Sequence, residues 1–395
     1  MQIIKNIKTD KAYTFMYVIA FFFSIKPDYF LGLGLFTTVY NNSAIIVFFV
    51  LFFNLILIKK INKYSLIVIF LALFPLFVSL FYGNNVGFGY YIPVIQTCSL
   101  ALLIEKSYKK NFNEILTGLV FVLELYVYIN FITIILFPEG IIDVEFYSGN
   151  YWFLGYKNVM IRFILPTVGL RAILCVYRSG KYTFSFYCLL IISILTNIIV
   201  DCKTGAIGII IVAVMALIFS KKTLPKWINL KTGIIVFVII TLIVTTTQFL
   251  ENFNQFMFLI GEEVSLMSRT LVWENSLYLF FESPIWGYGL MDNDGYRELL
   301  NTYTGWGYFS HPHNFILYTL IQGGLIQFGM ACYLFFKIGK LSYENKSNFA
   351  IKMLIFVYLA FFVMGLTESL IGATLIYPLA VFAESFVKYD IQYKK

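Results

Sequence analysis

The sequence predicts an all-α polytopic membrane protein, with about 12 transmembrane helices and a large exterior loop at about 251–310 that contains short helices. Three observations carry this expectation. The chain is 60% hydrophobic and 13% charged, where a soluble domain carries about 25% charged residues. Its mean hydropathy is +0.81. Apolar runs of the length needed to cross a bilayer, about 20 residues, recur from end to end, and the basic residues fall into every second connection between them.

The candidate spans run at 12–25, 43–58, 64–82, 89–104, 115–137 and 158–177 in the first half. The second half places them at 183–200, 204–220, 233–250, 312–336, 350–367 and 371–387. No small-residue cleavage site follows the first apolar run, so it reads as a retained span. The chain therefore reads as a single membrane domain, 1–395, in four parts. These are an N-terminal helix bundle (1–150), central spans (156–250), the exterior loop (251–310) and C-terminal spans (311–395).

The basic residues test this list. Of 29, 23 lie at both termini and in alternate connections, among them Lys59, Lys60, Lys106, Arg171, Lys221, Lys337 and Lys352. The other side holds only Lys26, Lys157, Arg162, Lys203, Arg269 and Arg297. By the positive-inside rule both termini face the cytoplasm. The net charge of +8 is then a topology signal, and no nucleic-acid partner is implied. The five cysteines lack CxxC spacing and read as small core residues. Abundant Ile, Phe, Asn, Lys and Tyr point to an AT-rich bacterial genome.

Two exterior connections are long. One is PEGIIDVEFYSGNYWFLGYKN at Pro138–Asn158; the other is the 251–310 segment. Within the latter, FNQFMFLI suits a helix lying on the membrane surface, and SRTLVWENSLYLFFES has apolar residues at helical spacing. Long ordered loops carry function.

The few exterior cations are the first site candidates. Arg162 lies inside a span entered from the exterior, where an arginine snorkels outward or needs a partner or wet cavity. Lys203 sits at an exterior turn, beside Asp201. Arg269 opens a helix within reach of Glu262, Glu263 or Glu274. Converging, the three would suit a diphosphate: guanidinium forks match phosphate oxygens and lysine adds a point charge. Both histidines occur in GYFSHPHNFILYTLIQGG. Pro312 fits a first helical turn, which would put His313 and Asn314 at the exterior mouth of a span. An imidazole there can take a proton from a hydroxyl, can be a structural cap, or can be half a metal site; no other histidine exists to complete one. Gly287 and Gly289 permit tight turns, and Gly323 with Gly324 close helix approach. Trp273, Trp286, Tyr288, Trp306 and Tyr308 either anchor at the interface or stack on sugars. Glu124 is a packing partner or lines a lipid cavity. Asp201, Glu282, Asp292, Asp294 and Glu368 are candidate acceptor contacts.

SRTLVWENSLYLFFESPIWGYG followed by HPHNFILYTLIQGGLIQFGM resembles the bacterial O-antigen polymerase and O-antigen ligase family. Arg269, Trp273, Pro284, Gly287, Gly289, His313, Asn314 and Gly324 carry the resemblance, which is strong over about Ser268–Gly329 and weaker from Tyr156. GYKNVMIRFILP and DCKTGAIGIII resemble two further family span starts, with Lys203 where arginine is usual and Gln322 where glutamate is frequent. The resemblance implies a C-type glycosyltransferase-like membrane enzyme with no cofactor and no metal. It would use undecaprenyl-diphosphate-linked oligosaccharides in the bacterial inner membrane, with its active site facing the exterior. Partners implied are the lipid bilayer, a chain-length regulator and a flippase. The expected function is an oligosaccharide repeat-unit polymerase for O-antigen or capsule; an O-antigen ligase and a lipid-linked glycan flippase are the alternatives. The expected site has His313 and Arg269 as catalytic residues and Arg162, Lys203 and Arg269 as diphosphate ligands. Trp273, Asn314, Gly287 and Gly289 would shape the pocket.

Overall fold

The computed structural model describes residues 10–31, 33–58, 61–84, 86–141, 150–245, 263–302, 309–369 and 375–389. The FNQFMFLI segment, Glu262, Trp306 and Tyr308 lie outside the described residues. Among the described residues the elements are helical apart from one two-stranded hairpin. Helices α1 (Lys11–Ser24), α2 (Gly34–Ile58), α3 (Lys63–Tyr82), α4 (Phe88–Lys109) and α5 (Phe112–Leu136) form the first half. A hairpin of β1 (Tyr151–Trp152) and β2 (Gly155–Tyr156) leads into α6 (Ile161–Ser179), α7 (Phe184–Ile199), α8 (Lys203–Phe219) and α9 (Leu230–Thr245). The segment between α9 and the last helices contributes α10 (Glu263–Glu282) and α11 (Asn293–Leu300). The last helices are α12 (Phe315–Glu344), α13 (Phe349–Gly365), α14 (Ile376–Leu379) and α15 (Phe382–Lys388).

The distribution of polarity is that of a membrane protein. Phe81 is 79% exposed and Leu35 77%, while Ser24, Ser65 and Asn130 are wholly buried. Only a hydrocarbon surround makes such a surface cheap, and inside it helices satisfy their own backbone. Among the described residues, four helices are long and apolar enough to cross a bilayer, and five shorter apolar ones accompany them. The segment predicted as a last span is two short helices. Pro378 has no N–H, and Ala380 and Val381 bond three residues back, to Tyr377 O and Pro378 O at 3.0 Å each.

The helices meet along one continuous core, in which α12 packs on α3 and α9, and α13 packs on α6 and α8. A second, smaller core joins α10, α11 and α12 through Val272, Trp273, Leu279, Tyr296, Leu317 and Ile321. It is this satellite core that seats α10 on the mouth of α12. Glu124 resolves as a packing partner: its Oε2 lies 3.2 Å from Arg171 Nη1, and Tyr128 donates to its Oε1 at 2.9 Å. At the far end of the bundle, Lys352 Nζ donates to the carbonyls of Phe219, Ser220 and Lys222 at 2.9–3.0 Å, satisfying the orphan acceptors that end α8.

Candidate active site

The start of α12 is set by Asn314. Its Oδ1 accepts from Ile316 N (2.9 Å) and Leu317 N (3.1 Å), and its Nδ2 donates to Leu366 O at 3.1 Å. One buried asparagine thus caps α12 and ties it to the end of α13. Pro312 and His313 consequently precede the helix, where the spacing placed them in its first turn. His313 adopts φ +50°, a left-handed conformation that strains a residue with a Cβ. This bend brings the rings of His311 and His313 to 4.1 Å between centroids. Burial, and after it the charges of His313 and Arg269, push the His311 imidazole down to about 3, so it is neutral near pH 7. Its Nδ1 shares a hydrogen bond with Ser310 Oγ at 3.2 Å.

Arg269 finds a different partner from the nearby glutamates of its own segment. Its Nη1 donates to Thr367 O at 2.9 Å, and its Nη2 lies 3.5 Å from Glu368 Oε1. Glu368 is the hub: Asn158 Nδ2 donates to Oε1 at 3.0 Å, and Oε2 stands 3.8 Å from His313 Nδ1. That nitrogen is buried and makes no hydrogen bond among the described residues. Asn158 Oδ1 in turn receives Cys202 Sγ at 3.6 Å, next to the exposed Lys203 that opens α8. Four connections and the first turns of α10 therefore meet at one end of the bundle. Sequence reasoning named Glu368 only as one exterior acid among several. The available signal was its position at the end of the apolar run of α13, where an unpartnered carboxylate is costly.

Trp273 is 1% exposed, and its Nε1 donates to Pro312 O at 2.8 Å. It holds the histidine loop from below and offers no face to a sugar. Trp286, 47% exposed, packs near Phe74 at the outer surface.

Gly287 and Gly289 do more than turn the chain. Helix α12 is broken at Gly323 and Gly324, which are non-helical inside it. The carbonyls of Ile321 and Gln322, freed by the break, accept from Tyr288 N at 2.7 Å and Gly289 N at 2.9 Å. The N–H groups of Leu325 and Ile326, which would have filled those carbonyls in a continuous helix, donate instead to Pro284 O (2.8 Å) and Ile285 O (3.3 Å). Two backbones have exchanged partners. A Cβ on Gly287 would lie 2.4 Å from Ile321 O, and one on Gly324 2.3 Å from Ile285 O, at φ values of +67° and +57°. The glycines are needed for this exchange, in place of the expected helix–helix approach.

Arg162 enters differently. Its Nη2 pairs with Asp28 Oδ1 at 2.7 Å, so the partner it required is an acid from the α1–α2 connection. Arg162 also lines a cavity of about 190 Å³ between α3, α4, α11 and α12, which Ser310 lines as well.

Residues 188–334 match the family model described as O-Antigen ligase. This stretch carries Lys203, Arg269, Trp273, the exchanged glycines, His313 and Asn314, while Asn158, Arg162 and Glu368 lie outside it. No curated protein matches the chain. The break in α12, its histidine-bearing entry and the α10 arginine thus lie within the stretch, residues 188–334, that is similar to the O-Antigen ligase family model.

Proposed function

We propose that the protein is an oligosaccharide repeat-unit polymerase for O-antigen or capsular polysaccharide. It moves the growing glycan from undecaprenyl diphosphate onto a new lipid-linked repeat unit. The supporting observation is the Arg269–Glu368–His313 cluster, assembled where helix ends meet at one face of a membrane bundle. The family, glycosyltransferase-like and O-antigen-directed, supports the reaction class.

In this reading, an acceptor hydroxyl oxygen attacks the anomeric carbon, and the bond from that carbon to the diphosphate oxygen breaks. The leaving group takes the electron pair, and Arg269 and Lys203 stabilise the growing charge, while Arg162 is already paired with Asp28. Glu368, 3.8 Å from Nδ1, holds the proton of His313 on that nitrogen after a small shift. The Nε2 lone pair then faces the acceptor hydroxyl and takes its proton. Glu368 is a positioning residue. The site faces the exterior of the inner membrane, with both termini cytoplasmic, and the donor's lipid tail lies in the bilayer.

His313→Ala and Arg269→Ala, correctly inserted, should make no polymer; full-length polymer from either would refute the assignment. The matched family description favours one second reading, the ligase. A deletion strain separates them: loss of a polymerase leaves single repeat units on the final acceptor, and loss of a ligase leaves long lipid-linked chains untransferred. Polymer made by purified protein in detergent, with no gradient, excludes a flippase.

A further inference from the structure

The cavity beside the cluster is amphipathic, and its polar wall is specific. Tyr296 OH donates to Gly289 O at 3.1 Å, so toward Gln322 it can only accept. That orients the Gln322 amide: Nε2 donates to Tyr296 OH at 2.9 Å and to Tyr318 OH at 2.8 Å, and the carbonyl oxygen is left for another donor. Thr97 and Thr319 spend their hydroxyl protons on helix carbonyls, Pro93 O and Phe315 O, at 2.8 Å each, which leaves the lone pairs of Thr97 open and, beside the bond that Thr319 shares with Tyr377, one lone pair of Thr319. Gln327, 5% exposed, has a buried Oε1 without a hydrogen-bond partner. All of these residues line the same space, opposite apolar groups such as Pro93, Phe315 and Leu71.

A wall of unfilled acceptors facing an apolar wall discriminates between ligands. A polyprenyl tail would bury those oxygens with nothing to pair them, a cost of about 1–3 kcal/mol each. A pyranose ring supplies hydroxyl donors on its rim and a C–H face for the apolar side. The cavity, about 190 Å³, has room for a sugar ring. Asp28 offsets the charge of Arg162, so the space does not favour a diphosphate. Two lining residues connect it to the cluster: Ser310, bonded to His311, and Arg162, one helical turn beyond Asn158.

We propose that this cavity seats the acceptor's reacting sugar ring, with Gln322, Thr319 and Thr97 reading its hydroxyls; the assignment as an acceptor site rests on the polymerase reading above. Specificity for the acceptor then resides in α12 and α4, apart from the cations that meet the donor.

The test uses the full-length protein in lipid nanodiscs and the free repeat-unit oligosaccharide carrying a diazirine on its terminal sugar. Crosslinked peptides are mapped by mass spectrometry, and polymer formation from lipid-linked repeat units is measured on the same preparation. The expected result is labelling of the peptides bearing Thr97 and Thr319. It should fall about tenfold in Gln322→Leu, the equivalent of one lost hydrogen bond, and persist in Arg269→Ala. Thr319→Val gives the same readout should Gln322→Leu fail to fold. Labelling elsewhere, or labelling of these peptides by a photoreactive undecaprenyl phosphate and not by the oligosaccharide, overturns the proposal. Sugar labelling at the cavity in a protein that makes no polymer refutes the polymerase reading and leaves the sugar site standing.

Discussion

Glu368→Gln isolates the charge of the hub while preserving its shape. The carboxylate side chain is 8% exposed and faces Arg269 at 3.5 Å, Asn158 at 3.0 Å and His313 at 3.8 Å. At an effective dielectric of about 20, the Arg269 pair alone has a Coulomb energy of about 5 kcal/mol. Desolvation of both charges cancels much of that. Arg269 keeps its bond to Thr367 O, and the glutamine oxygen keeps the one from Asn158. The net loss of stability is then about 2 kcal/mol, that of one charged hydrogen bond. The catalytic loss should be larger in kind, because the arginine and the histidine lose their common anchor together. A fall in kcat of about 100-fold, or about 2.7 kcal/mol in the barrier, is expected, with KM for the lipid-linked acceptor changed less. The assay is polymer length and rate with purified protein, normalised to monodisperse, inserted enzyme. Glu368→Ala should be worse, since it also strands Asn158 and removes the oxygen that faces Arg269. If Glu368→Gln inserted normally and turned over within about twofold of the parent, the hub would have no role in positioning.

Gly287→Ala forces a Cβ to 2.4 Å from Ile321 O at a left-handed φ; opening the backbone exchange should cost about 3 kcal/mol or more, read as lower thermal stability in detergent. His311, held near 3 when folded and near 6.5 when unfolded, binds more protons unfolded between those values. Its contribution is therefore complete above about pH 6.5 and is lost as pH falls toward 3, by at most about 1.4 kcal/mol per unit. His311→Gln should flatten that acid limb in a melting-temperature series, and an unchanged slope would contradict the burial argument. Lys352→Met strands three carbonyls at the opposite end. It should destabilise by about 3 kcal/mol yet leave the rate per folded molecule as it was.

Much of this architecture follows from local rules that a linear sequence obeys. Apolar runs of bilayer length, the alternation of lysine and arginine, and the helical spacing around Trp273 are all short-range patterns. They place α3, α5 and α10 close to where the structure has them. The stretch from Arg269 to Gly324 was legible through its resemblance to a family pattern, yet its His-Asn pair was expected within a first helical turn and its glycine pair in a helix–helix contact, where the structure has irregular backbone. What each charge would meet was not legible. Arg269 had three glutamates close in sequence, yet its anion is Glu368, 99 residues away. Arg162 is matched by Asp28 across 134 residues. A buried guanidinium must have a counter-charge, and sequence states that requirement; which acid fills it depends on how helices cross, which no local pattern encodes. The break in α12 belongs to the same class. Two adjacent glycines permit it, but only the 284–289 loop, arriving through the satellite core, supplies the donors and acceptors that make it stable.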